Sequence, residues 1–171
     1  MHAQNSLPSG SACLKPLLRY WNKDKQRHFY TVDRNELGTG QNGWVYEGFV
    51  GYVAATSSCY APNAVPFYRY WSALKQKHFY STNPEEAIVA KAHYEFVFEG
   101  ITGYILSGHA AQYQTTALYR LYKNEDHFYT SSAIERDAAV SSSGYVSEGT
   151  AGYVFTALEP TPTPVPPTPT R

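Results

Sequence analysis

The chain of 171 residues is long enough for one domain with its own core, which excludes a miniature held together by disulfides alone. Lys and Arg (14) balance Asp and Glu (14), the pI is near 7 and no block of like charges occurs. Nothing here can hold a phosphate backbone or an anionic membrane surface, so neither nucleic acid nor membrane is an expected partner. With 43% hydrophobic residues, 16 Tyr, 8 Phe and 3 Trp, a disordered chain is excluded as well.

Residues 1–12 carry no apolar core of a signal peptide and read as an N-terminal arm or an expression remnant; if the protein is exported, its leader has been removed. Cys13 and Cys59 can form one disulfide tying the arm to the end of the first repeat, or remain two buried thiols. Closing that loop contributes roughly 4 kcal/mol on the chain-entropy model. Leu17 to Trp21 and Arg27 to Thr31 are aromatic-rich runs separated by a polar loop, the pattern of a hairpin. Asp33 followed by Glu36 is a helix start, and the glycine-rich stretch after it allows one turn. Trp44 to Gly48 and Gly51 to Ala54 read as two further strands with a tight turn or bulge between them.

The same order of blocks then returns twice. Leu18-Arg19-Tyr20-Trp21 recurs as Tyr68-Arg69-Tyr70-Trp71 and Tyr119-Arg120-Leu121-Tyr122. His28-Phe29-Tyr30-Thr31 recurs as His78-Phe79-Tyr80-Ser81 and His127-Phe128-Tyr129-Thr130. Glu47-Gly48 with Gly51-Tyr52-Val53 recurs at Glu99 and Gly103, and at Glu148 and Gly152. These blocks define a three-repeat β domain over residues 13–158, with repeats 17–65, 66–116 and 117–158. Asn83-Pro84 with Glu86 and Ser132 with Glu135 repeat the helix start, and their Ala-rich runs allow one or two turns. Residues 159–171, dense in Pro and Thr, form an extended linker. Four strands and one short helix per repeat predict an all-β fold, a β-trefoil in first place, with a three-bladed propeller-like ring and an open stack as alternatives.

Each repeat carries one Arg, one His and one Glu: Arg19, His28, Glu47; Arg69, His78, Glu99; Arg120, His127, Glu148. They can serve the architecture, with Arg paired to Glu and His satisfying buried groups. They can equally serve a sugar, since planar polar groups match vicinal hydroxyls and an aromatic face matches the apolar side of a pyranose. Alternation along the second strand predicts Phe29, Phe79 and Phe128 inward, with Tyr30, Tyr80 and Tyr129 outward beside the histidines. Trp21, Trp71 and Trp44 can each pack in the core or serve as a stacking platform, and Tyr122 stands in the third repeat where the others have Trp21 and Trp71. No hydrolase elbow, zinc-protease, phosphate-loop or calcium-loop motif occurs, and the recurrent glutamates come one per repeat, so neither an enzyme nor a cofactor is expected. His2, His93 and His109 have no ligand spacing, and no metal site is expected.

The blocks Arg-Tyr-Trp, His-Phe-Tyr-Thr and Glu-Gly-x-x-Gly-Tyr-Val resemble a secreted, tyrosine-rich three-repeat module described as a repeat of unknown function, found fused through Pro/Thr linkers to secreted hydrolases. In architecture the chain also resembles trefoil carbohydrate-binding modules, without the Gln-x-Trp signature of the ricin type. The resemblance implies a secreted, monomeric, non-catalytic module linked to a catalytic domain. With up to three equivalent glycan sites it would target its neighbour to a polysaccharide or cell wall by multivalent contact. A protein-docking module of a secreted peptidase is the alternative.

Overall fold

The computed structural model describes residues 13–156; the N-terminal arm and the Pro/Thr-rich linker expected above lie outside the described residues. The elements run β1 (Leu14–Asn22), β2 (Arg27–Thr31), α1 (Arg34–Leu37), β3 (Trp44–Ala54), β4 (Ala64–Ser72), β5 (Lys77–Ser81), α2 (Pro84–Tyr94), β6 (Val97–Leu106), β7 (Thr115–Lys123), β8 (Asp126–Thr130), α3 (Ala133–Ser143) and β9 (Val146–Phe155). The fold is all-β, but each repeat has three strands where four were expected. The segments on either side of Gly48 are one strand. Gly48 takes φ of +110°, opposite Arg19 where the register between β1 and β3 shifts, so a bulge absorbs the irregularity and pairing continues. A β-trefoil of four-stranded repeats is therefore not what the described residues form. The helices also depart from expectation, since α2 and α3 each run for 11 residues, three turns, while α1 stays at 4.

Each repeat is a three-stranded antiparallel unit with its first strand in the middle, in the order β2-β1-β3, and likewise β5-β4-β6 and β8-β7-β9. The hairpin registers correspond position by position: Trp21 faces His28, Trp71 faces His78 and Tyr122 faces His127. Single bridges join the far ends of the third strands, Ala54 to Tyr104, Leu106 to Tyr153 and Tyr52 to Phe155, and so close the three sheets on one another. The glycine of the Gly-Tyr motif makes this approach possible. A Cβ on Gly103 would lie 2.5 Å from a methyl of Val53, and one on Gly152 would lie 2.6 Å from Ile105.

The core sits on the axis between the repeats, built from Leu17, Phe67 and Leu118, from Val53, Ile105 and Val154, and from Tyr30, Tyr80 and Tyr129. The outward placement of these tyrosines is corrected by the structure: each is about 1% exposed. Alternation implies an outer face only where one side of a strand meets water. Here β2, β5 and β8 turn the tyrosine side to the axis and the Phe side to a second apolar cluster within each repeat, so both faces are covered. Phe29, Phe79 and Phe128 are buried, as alternation predicts.

The tyrosines close a ring. The Tyr30 hydroxyl donates to the Tyr129 carbonyl and accepts the Tyr129 N–H, at 2.9 and 2.7 Å. Tyr129 does the same to Tyr80, at 2.6 and 3.1 Å, and Tyr80 to Tyr30, at 2.6 and 2.9 Å. Six buried backbone groups on the inner strands are satisfied by three hydroxyls. At the far end, Cys13 and Cys59 are joined as a disulfide and pack with Leu14, Leu106 and Phe155.

Candidate functional site

The recurrent Arg and Glu meet at the joints between repeats. Arg19 Nε is 2.8 Å from Glu47, while its two terminal nitrogens hold both oxygens of Glu135 from the third repeat, at 3.0 and 2.8 Å. Arg69 pairs in the same way with Glu99 and with Glu36 of the first repeat, and Arg120 with Glu148 and with Glu86 of the second. Each guanidinium also lies over a phenylalanine of the neighbouring repeat, Phe128, Phe29 or Phe79, 5.2 to 5.4 Å from the ring centre. The three clamps run in one cyclic direction and hold the repeats together in a closed circuit.

The helix-start glutamates thus do something other than capping. Helices start at Asp33, Asn83 and Ser132, whose side chains accept N–H groups of the first turn. The N–H of each cap is accepted by Thr31, Ser81 or Thr130, whose hydroxyl in turn donates to Glu36, Glu86 or Glu135. The carboxylate is thereby aimed at the neighbouring Arg. Burial pushes Glu86 up, but the hydrogen bonds from Arg120 and Ser81 outweigh it and hold the carboxyl below the usual range; burial is likewise outweighed at Glu135 by Arg19 and Thr130. Glu99 is held down first by its hydrogen bond from His78. Replacing Arg69 by Met leaves Glu36 and Glu99 without their cation. Both carboxylates are about one-third exposed, so the expected loss is about 1–2 kcal/mol in urea unfolding, with a non-zero coupling to Glu36→Gln in a double-mutant cycle.

Of the residues expected at a ligand surface, Arg19, Arg69, Arg120, Glu47, Glu99 and Glu148 are engaged in these clamps. Tyr30, Tyr80 and Tyr129 are sealed on the axis, out of reach of any ligand. His28, His78 and His127 lie between, each placing Nε2 3.0 to 3.6 Å from the clamp glutamate of its own repeat. Trp21, Trp71 and Tyr122 are half-buried, their rings 4.5, 4.6 and 5.0 Å from those imidazoles.

The three joints are nevertheless unequal, because the residue before each His differs: Arg27, Lys77 and Asp126. Between the third and first repeats, Asp126 accepts the His28 N–H at 2.8 Å, lies 2.6 Å from His28 Nδ1 and accepts the Tyr145 hydroxyl at 2.9 Å. Between the second and third repeats there opens a cavity of about 600 Å³, walled by Phe79, Tyr94, Phe96 and Tyr122 with Lys75 and Lys77 at its side. Both ammoniums reach the same oxygen of Glu125, at 2.8 and 2.7 Å, and their hydrogen bonds hold that carboxyl down to about 2. Lys77 is 5% exposed, and burial lowers its ammonium despite Glu125. His127 also lines the cavity; burial, reinforced by Lys77 and Arg120, holds its imidazole down to about 3. A reading that follows what recurs passes over Lys75, Lys77, Tyr94, Phe96 and Glu125. The signal for them is the contrast in charge among Arg27, Lys77 and Asp126 at equivalent positions. Among the described residues no group of His, Cys, Asp and Glu can hold a metal ion, and no helix is long and apolar enough to cross a membrane.

Fold and clefts define an all-β domain whose polar clusters are built into the joints of a three-part ring. The chain belongs to the family described as a domain of unknown function, DUF5648, whose model matches residues 16–155. This fits the expectation of an uncharacterised module. No curated protein and no solved structure matches the chain.

Proposed function

We propose that this three-bladed ring is a non-catalytic carbohydrate-binding module of a larger secreted protein, and that its principal site is the cleft between the second and third repeats. The observation carrying this reading is that cleft: about 600 Å³ of open space with four aromatic side chains and several fixed polar groups in its wall. Aromatic faces suit the apolar side of a pyranose, and Lys, Glu and His beside them suit its hydroxyls. Three equivalent sites are replaced by one principal site, because Asp126 occupies the joint between the third and first repeats and the opening at Glu36, Arg69 and Glu99 is only about 210 Å³. Affinity then rests on one cleft, and avidity requires a second module.

Retention on insoluble polysaccharides and a glycan array test the reading. Tyr122→Ala is expected to weaken glycan binding at least tenfold with the fold intact, whereas Trp21→Ala, in the joint that Asp126 fills, retains it. A second reading, docking of a protein partner, is favoured by the exposed Val97, Phe98 and Ile101 on β6. Capture of one defined protein through that strand, with no glycan retained, would overturn the carbohydrate reading.

A further inference from the structure

Resting on that reading, we infer that the saccharide held between the second and third repeats carries a carboxylate, as a uronic acid does. The first ground is a local imbalance at one side of the cleft, whose whole lining holds Glu85, Glu86, Glu125 and Glu148 beside Lys75, Lys77 and Arg120. Lys75 and Lys77 share one oxygen of one carboxylate, Glu125, so two ammoniums are served by a single anion. Neither is held away from the wall: Lys75 Nζ stands 4.7 Å from the centre of the Tyr94 ring, and Lys77 Nζ stands 5.3 Å from Tyr122 and 5.6 Å from Phe96. A sugar ring laid on one of these aromatics brings a ring carboxylate beside two cations that share a single anion.

The second ground is a comparison within the molecule. Asp126 shows the equivalent joint already housing a carboxylate, bonded to the main chain and Nδ1 of His28 and to Tyr145. His127 is the counterpart of His28, and there the chain supplies Lys77 in place of the acid. His127 Nδ1 is buried and has no hydrogen-bond partner. Of the other charges lining this cleft, Arg120 is clamped by Glu86 and Glu148, and Glu85 is exposed. The counterpart joint has a carboxylate against the imidazole Nδ1, and at His127 that place has none.

Calorimetric titration of the domain with an oligogalacturonide, its fully methyl-esterified form and a neutral cello-oligosaccharide of equal length tests this. The acid is expected to bind at least tenfold more tightly than the ester, with an affinity that falls as salt rises. Lys77→Asp installs the internal acid of the other joint and is expected to abolish the preference. Lys75→Gln, at a more exposed position, is expected to reduce it severalfold and keeps the test valid if Lys77→Asp does not fold. Equal binding of acid and ester, or a preference unchanged in both variants, overturns the inference while leaving the carbohydrate reading in place. Tighter binding of a polyglutamate peptide than of any sugar overturns the inference too. Absence of binding to all three saccharides overturns the underlying reading instead.

Discussion

Tyr80→Phe is expected to destabilise the domain by roughly 3 kcal/mol, several times the usual effect of removing one hydroxyl, as measured by urea unfolding. The hydroxyl accepts the N–H of Tyr30 and donates to its carbonyl, and both residues are buried on the axis. Phenylalanine fills the space but leaves two main-chain groups without partners, at about 1–3 kcal/mol for each group left unsatisfied. The effect is also local. Amide exchange at Tyr30 should accelerate more than at Tyr80 or Tyr129, whose partners are the hydroxyls of Tyr129 and Tyr30. Since every hydroxyl is both donor and acceptor in one ring, removing a second, Tyr129, should cost less than the first. A loss below about 1 kcal/mol for Tyr80→Phe would mean that the ring does not hold the three inner strands together.

Much of this architecture can be read from the residues alone, because the same blocks return at near-constant spacing and place the hairpins, the helix starts and the buried phenylalanines. Two kinds of feature cannot. The first depends on what covers a strand from outside it: alternation divides Phe29 from Tyr30 correctly, yet only the closed arrangement of three repeats buries both sides. The glutamates at the helix starts belong here too. Glu36 has the spacing of a capping residue, but its partner is Arg69, 33 positions away in the next repeat. The second kind is departure from symmetry. Repeats direct attention to what is conserved among them, so Arg, His and Glu stand out as a candidate site, although the fold uses Arg and Glu chiefly to join its parts. The cleft arises where the copies differ, at Lys77 in place of Asp126, with Tyr122 where the other copies have Trp.

The same asymmetry makes the domain sensitive to mild acid. His127 is flanked by Lys77 and Arg120, which disfavour its proton, and by Asp126 and Glu86, which favour it, with Glu148 3.4 Å from Nε2. Burial decides the balance, and the imidazole titrates at about 3 in the folded chain against about 6.5 when unfolded. Between those values the unfolded chain binds a proton that the folded chain refuses. The stabilising contribution is therefore complete above the unfolded value and is lost progressively as pH falls towards the folded one. At pH 5 the expected loss relative to pH 7 is about 2 kcal/mol, visible as a lower urea midpoint. His127→Gln should flatten the curve over this interval. Below about pH 4.5 a second loss begins, because Glu86, Glu99, Glu125 and Glu135 are all held below their ordinary range and their contribution disappears as they protonate. A carboxylate placed beside His127 by a bound uronic acid would favour the imidazolium, so saturating ligand should shrink the difference between pH 7 and pH 5. A urea midpoint that stays constant over that interval in the free protein would show that His127 takes up its proton in the fold as readily as in the unfolded chain, and so that burial does not hold the imidazole neutral.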